Sequence, residues 1–188
     1  MRRRFLGGIH PASYKESTRR KPIVPLEVPP KQVAIPLTMC SMGGAAPVVK
    51  PGEKVTVGQV IAKPTQVGVY VHASVSGRVR AIEPRPHPWG GKWDAIVIDN
   101  DGQDTPCPDL PEPMDWSRMD RKEVLERIRQ AGITSMGGGA SPTHLRLAQS
   151  VGRVDTLIVS AAECEPYLTA DHRLLLEHGD QVLQAVQM

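Results

Sequence analysis

The chain has 188 residues, enough for one domain or two small ones. Its formal charge of +3 is small, and one Phe, three Tyr and three Trp make no aromatic platform beside a basic groove, which argues against nucleic-acid binding. Cys40, Cys107 and Cys164 are odd in number and widely spaced, which argues against a disulfide framework and any C-x-x-C metal site. No apolar run approaches the length of a membrane span, and the basic start lacks the apolar stretch of a secretory signal. The chain therefore reads as cytoplasmic.

Residues 1–31 form a polar, proline-spaced arm after Phe5–His10, expected to drape over another surface. Gln32–Thr38 reads as a short strand, with Pro36 marking an edge. Val55, Val57 and Val60 follow, punctuated by Pro51-Gly52 and Gly58. Val71, Ala73 and Val75, then Val79 and Ala81, alternate with a period of two around a Ser76-Gly77 turn. Ala95–Ile98 is a last strand, closed by the turn signal D-N-D-G.

Residues 32–103 are thus a compact all-β module. V-x-x-G-x-x-V-x-x-G-x-x-I-A and S-G-x-V-x-A-I resemble the lipoyl/biotinyl-type barrel-sandwich hybrid. Aligning the Ser-Gly turns puts Val67 at the hairpin tip, where carrier domains have a lysine, so a swinging prosthetic group is not expected. His72 alternates with core positions and should face solvent. His87 sits in a proline-flanked loop, and neither histidine has a partner at ligand spacing.

Residues 104–116 read as an extended linker, with four prolines between Asp104 and Met114. Residues 117–188 then change character. Asp120 and Glu123 form a capping-box signature ahead of Val124, Leu125, Ile128 and Ala131, with Gly132 as the C′ glycine. Gly137, Gly138 and Gly139 follow, then Ser141 as expected N-cap and Pro142 as first residue of a short helix. A glycine loop feeding a helix N-terminus is an anion site, typically for phosphate, or a flexible connection.

Val154–Ser160 is an unbroken apolar run, expected to be a strand covered on both faces. Glu163 and Glu165 would lie just past its carboxyl end, where open α/β sheets bind ligands. There they would accept hydrogen bonds from ribose hydroxyls or a flavin ring N–H, or remain solvated loop charges. Cys164 lies between two carboxylates, which disfavour a reactive thiolate. Asp171–Val186 reads as a helix with a kink at Gly179. One strand and three helices do not close an α/β layer, so this second domain is expected to be incomplete.

Four collinear stretches, F-L-G-G-I-H-P, V-H-A-S-V-S-G-R-V-R-A-I-E-P, G-G-G-A-S-P-T-H-L-R-L and A-E-C-E-P-Y-L-T-A-D-H-R, resemble the N-terminal part of the C subunit of the Rnf (Rsx) electron-transport complex. The second segment is also similar to the flavin- and NADH-binding subunit of respiratory complex I. The resemblance implies an α+β multi-domain protein: a barrel-sandwich hybrid followed by the start of an α/β FMN/NADH-binding domain. It implies a peripheral subunit at the cytoplasmic face of a bacterial inner membrane, moving electrons between NAD(H) and ferredoxin through FMN, coupled to ion transport. Its partners would be the other subunits, with membrane contact only through them. Carried over, Gly137, Gly138 and Gly139 would line the FMN phosphate and ribityl chain, Thr143 would donate at the helix N-terminus, and Arg146 would stand where the family usually has lysine. Glu163 and Glu165 would hold flavin or nucleotide polar groups. No residue is assigned a catalytic or metal-binding role, and the family's 4Fe-4S cysteine motifs lie downstream of this stretch. The loop departs from the family's G-G-A-G-F-P-T: Ala140 replaces a glycine and Ser141 a phenylalanine. The alternative is a docking module of that complex without a flavin site of its own.

Overall fold

A computed structural model describes residues 12–40, 42–112, 115–135, 139–163 and 165–187. It divides into two compact units: Val28–Asp155, and the arm up to Glu27 together with the residues from Thr156 onward.

The first unit is built on seven strands: β1 (Gln32–Pro36), β2 (Ala45–Pro47), β3 (Lys54–Val55), β4 (Val60–Pro64), β5 (Val71–His72), β6 (Gly77–Pro86) and β7 (Lys92–Asn100). They form two sheets, ordered β1-β7-β6-β3 and β2-β4-β5, with every pairing antiparallel. β1 lies at an edge, as Pro36 required. Val55, Ile61, Val71, Val75, Val79, Ile96 and Ile98 pack into one core cluster between the sheets. Central β7 is enclosed on both faces, since Val97 is as fully buried as its neighbours Ile96 and Ile98. β7 is longer than the Ala95–Ile98 strand read from sequence, because its polar ends continue the hairpin with β6 down to Lys92 opposite Pro86.

The Ser76-Gly77 turn shows why these two residues stand there. A Cβ on Gly77 would lie 1.9 Å from the Asp99 carbonyl oxygen, so only glycine admits the strand crossing. Buried Ser76 donates to Asp101 Oδ1 at 2.6 Å and accepts from the Thr105 N–H at 3.0 Å. That hydroxyl holds the Asp101 carboxyl below the usual range, helped by the Gln103 N–H. The linker is likewise not free: Val57 donates to Thr105 O at 2.9 Å, and the Cys107 N–H returns to Val57 O at 2.8 Å. Proline-rich character fixed its extended shape, and β-type bonds attach it to the barrel.

Two helices complete this unit, α1 (Arg121–Gln130) and α2 (Thr143–Ser150). The Asp120–Glu123 capping box forms in full. Gly132 ends α1 with a φ of +75° against β5. Its position explains His72, which is half-buried rather than solvent-facing. Packing of α1 desolvates the ring, which lowers its pKa, while a hydrogen bond to the Gln130 carbonyl partly opposes the shift.

The second unit contains α3 (Ala170–Gln187), interrupted at His178, next to the expected kink at Gly179. The expected strand at 154–160 does not form. These residues enter no ladder, and Leu157, Ile158 and Val159 are 64%, 82% and 51% exposed. A buried parallel strand is stabilised by neighbours on both edges, and among the described residues no strand lies beside this one. No helix of the described residues is long and apolar enough to cross a membrane.

Candidate functional site

α1 anchors the glycine loop to the barrel. Arg129 donates from Nε to Gly68 O and from Nη2 to Gln66 O, both at 3.3 Å, and its guanidinium lies 6.0 Å from the Tyr70 ring centre. The Tyr70 N–H donates to Arg129 O at 3.4 Å. The hairpin tip around Val67, which bears the lysine in carrier domains, is here a socket for a helix.

The loop leaves α1 and returns to α2 through a closed neck. Ser135 N–H donates to Ser141 O at 2.8 Å, Thr143 N–H to Ile133 O at 3.1 Å, and Ser141 N–H to Ser135 Oγ at 3.2 Å. Ser141 was expected to cap α2. Instead Pro142 is the N-cap, without a side-chain hydrogen bond, and the Ser141 hydroxyl faces that of Ser135 at 3.3 Å. The physical reason is competition: a serine clasp across the neck engages both hydroxyls and the Ser141 N–H, which one cap bond does not. The serines flanking the glycine run were the sequence signal for it.

Gly137 and Gly138 lie outside the described residues. Gly139 is described, and a Cβ there would meet no described atom within 4 Å. Ala140 adopts a left-handed φ of +39°. The missing glycine of the family wording thus falls where the backbone favours one. Thr143 is half-buried with its N–H engaged at the neck, leaving its hydroxyl as the group able to donate outward. Arg146 is exposed one turn further along α2.

His144 was not singled out from the sequence. The residue is 8% exposed, and among the described residues its Nδ1 has no hydrogen-bond partner. Burial lowers its pKa, the Arg129 charge adds to this, and Glu126 opposes.

The second unit holds the other two expected residues. Glu163 is enclosed, its side chain 8% exposed. Oε2 meets Lys15 Nζ at 3.3 Å, and Oε1 accepts from the His172 N–H at 3.1 Å. Burial pushes its pKa up, but the His172 N–H and Lys15 outweigh it and hold the carboxyl below its usual value. Glu165 is exposed, and among the described residues its carboxylate has no partner. A cavity of about 370 Å³ opens beside Glu163, lined by Lys15, Arg19, Thr169 and His172. Lys15 lies 148 positions from Glu163, and nothing local in the sequence announces it. Among the described residues no three His, Cys, Asp or Glu side chains converge on a metal position.

Residues 3–103 match the family model of the RnfC barrel sandwich hybrid domain. The chain belongs to that family. Residues 128–188, which contain the glycine loop, α2, the Glu163–Glu165 turn and α3, match the Nuo51 FMN-binding domain. The chain is 43% identical over its whole length to the C subunit of the proton-translocating ferredoxin:NAD(+) oxidoreductase complex of Clostridium ljungdahlii, covering 41% of that protein. It is 39% identical, over 98% of its length, to the C subunit of the Na(+)-translocating counterpart in Acetobacterium woodii, covering 42% of it. The C subunit of the ion-translocating oxidoreductase complex of Serratia proteamaculans is 39% identical over 98% of the chain, which covers 26% of that relative. The chain therefore spans less than half the length of these relatives.

Proposed function

We propose that this chain supplies the barrel domain and the first part of the FMN/NADH-binding domain of a peripheral subunit of an ion-translocating electron-transport complex. The subunit works at the cytoplasmic face of the bacterial inner membrane and passes electrons between NAD(H) and ferredoxin. Residues 32–103 are its barrel, 104–116 its linker and 117–188 the start of its flavin-binding part, with the other subunits of the complex as partners.

The observation that carries the reading is the glycine loop itself. Its neck is closed by backbone and serine bonds at the entry to α2, and a Cβ on Gly139 would meet no described atom within 4 Å. Open space beside a glycine at the entry to a helix fits a loop that lets an anion approach the backbone closely. Gly137, Gly138 and Gly139 would line the FMN phosphate and ribityl chain. Thr143 would donate its hydroxyl at the N-terminus of α2, and Arg146 would contribute positive charge. In the second unit, the turn that carries Glu163 and Glu165 would serve polar groups of a nucleotide. Bound FMN would supply hydride acceptance and release of single electrons, while the protein binds and orients it.

The test is a fluorescence-quenching titration with FMN and, separately, riboflavin. A loop that cradles phosphate favours FMN by at least about tenfold. Equal affinity for both would remove the phosphate role, and no quenching by either would remove the flavin site from this chain. A second reading, a docking module without flavin, draws on the exposed Ile158, Leu176 and Leu183 of the second unit. Absence of flavin binding would favour it.

A further inference from the structure

Within the second unit, the arm is tied to the turn that carries Glu163 and Glu165. Lys15 Nζ donates to Glu163 Oε2 at 3.3 Å, to Glu165 O at 3.3 Å and to Leu168 O at 2.7 Å. An ammonium has three donors, and all three are placed on this one turn. The neighbouring contacts repeat the pattern. Thr18 Oγ1 donates to Tyr167 O at 2.7 Å, the Tyr167 N–H donates to Ser13 O at 2.9 Å, and the Tyr14 and Tyr167 rings stack at 5.2 Å. Tyr167 itself carries a φ of +67°, a conformation uncommon for a non-glycine residue that its surroundings must maintain.

The two carboxylates of the turn are thereby made unlike. Both oxygens of Glu163 are engaged, one by Lys15 and one by the first turn of α3. Glu165 gives its backbone carbonyl to Lys15 and keeps its exposed side chain free of partners among the described residues.

We infer that Lys15 is a positioning residue for the ligand-facing turn: with Glu163 it forms an internal ion pair that fixes the turn's backbone, and Glu165 alone presents a carboxylate to a ribose hydroxyl or a ring N–H of the bound nucleotide. What the turn binds rests on the FMN/NADH reading above. The pair itself does not.

Two measurements on the 188-residue chain separate these. Amide hydrogen exchange without flavin reads the pair directly. Lys15→Met accelerates exchange of the Tyr167 and His172 amides by at least about tenfold, and Lys15→Arg restores most of the protection. Unchanged exchange in Lys15→Met, or equal loss in Lys15→Arg, overturns the positioning role. FMN titration then reads the division of labour. Lys15→Met and Glu163→Gln each weaken binding, and the double variant is no weaker than the worse single one, because both remove the same interaction. Glu165→Gln weakens binding independently and multiplies with either. Multiplying effects of Lys15→Met and Glu163→Gln would overturn the inference. If the unmodified chain binds no flavin, the nucleotide reading fails while exchange still decides the role of Lys15.

Discussion

Replacing Gly132 by alanine tests how α1 is seated on the barrel. Two separate penalties can be read from the structure. The first is conformational: a φ of +75° places alanine in the left-handed region, at about 1–2 kcal/mol. The second is steric, because the new Cβ would lie 2.7 Å from Tyr70 O and 3.3 Å from His72 Nδ1. The imidazole can turn aside, but the carbonyl belongs to the backbone leading into β5 and cannot. Overpacking of this kind costs about 1–3 kcal/mol, so the total is about 2–5 kcal/mol. Gly152 supplies the control, with a φ of +71° and nothing within 4 Å of an added Cβ. Gly152→Ala should show the conformational penalty alone. All three tryptophans, Trp89, Trp93 and Trp116, lie in the Val28–Asp155 unit, so urea denaturation followed by their fluorescence reports that unit. Gly132→Ala should be less stable than Gly152→Ala by about 1–3 kcal/mol. Agreement of the two variants within about 0.5 kcal/mol would refute the close seating of α1 against Tyr70 and His72.

Other expectations concern pH and single side chains. His72 and His144 both have lowered pKa values, chiefly through burial. Above pH 6.5 both are neutral folded or unfolded and contribute nothing to the pH dependence. As pH falls through 6.5, the unfolded chain takes up protons that the folded chain resists, so stability drops until the folded values are reached. Melting temperatures between pH 7 and 5 should show this slope, and His144→Gln should flatten it; an unaltered slope would rule His144 out. Ala140→Gly removes a left-handed alanine and should stabilise the chain by up to about 1 kcal/mol, after the greater freedom of glycine in the unfolded state is set against it. A clear loss of stability in urea would contradict the φ of +39°. Ser76→Ala should cost about 1–3 kcal/mol, since the Thr105 N–H loses its acceptor and Asp101 its donor; a change below about 0.5 kcal/mol would contradict that bridge.

The legible parts of this chain are those whose cause is local. Val79 and Ile98 follow strand alternation, Asp120 and Glu123 announce a helix start, and Gly132 its end. The serine, glycine and proline residues from Ser135 to Pro142 mark a loop entering a helix. What escaped the sequence is set by partners distant along the chain. Leu157–Val159 has the composition of a buried strand, but a strand needs neighbours that composition does not supply. His72 alternates correctly with the core, yet α1 arrives from about sixty positions away to cover it. Ser141 has the residue type of a cap, but Ser135, on the far side of the glycine run, competes for its hydroxyl. Glu163 and Glu165 looked equivalent because Lys15, at the far end of the chain, distinguishes them.

The flavin reading stands or falls on the glycine loop, and Gly139→Val is the variant that isolates it. A Cβ there meets no described atom within 4 Å, so the melting temperature should stay within about 1 °C of the unmodified chain. FMN quenching should be saturable in the unmodified chain and lost in Gly139→Val. Equal FMN binding by an equally stable Gly139→Val would place the flavin elsewhere and contradict the role given to the loop.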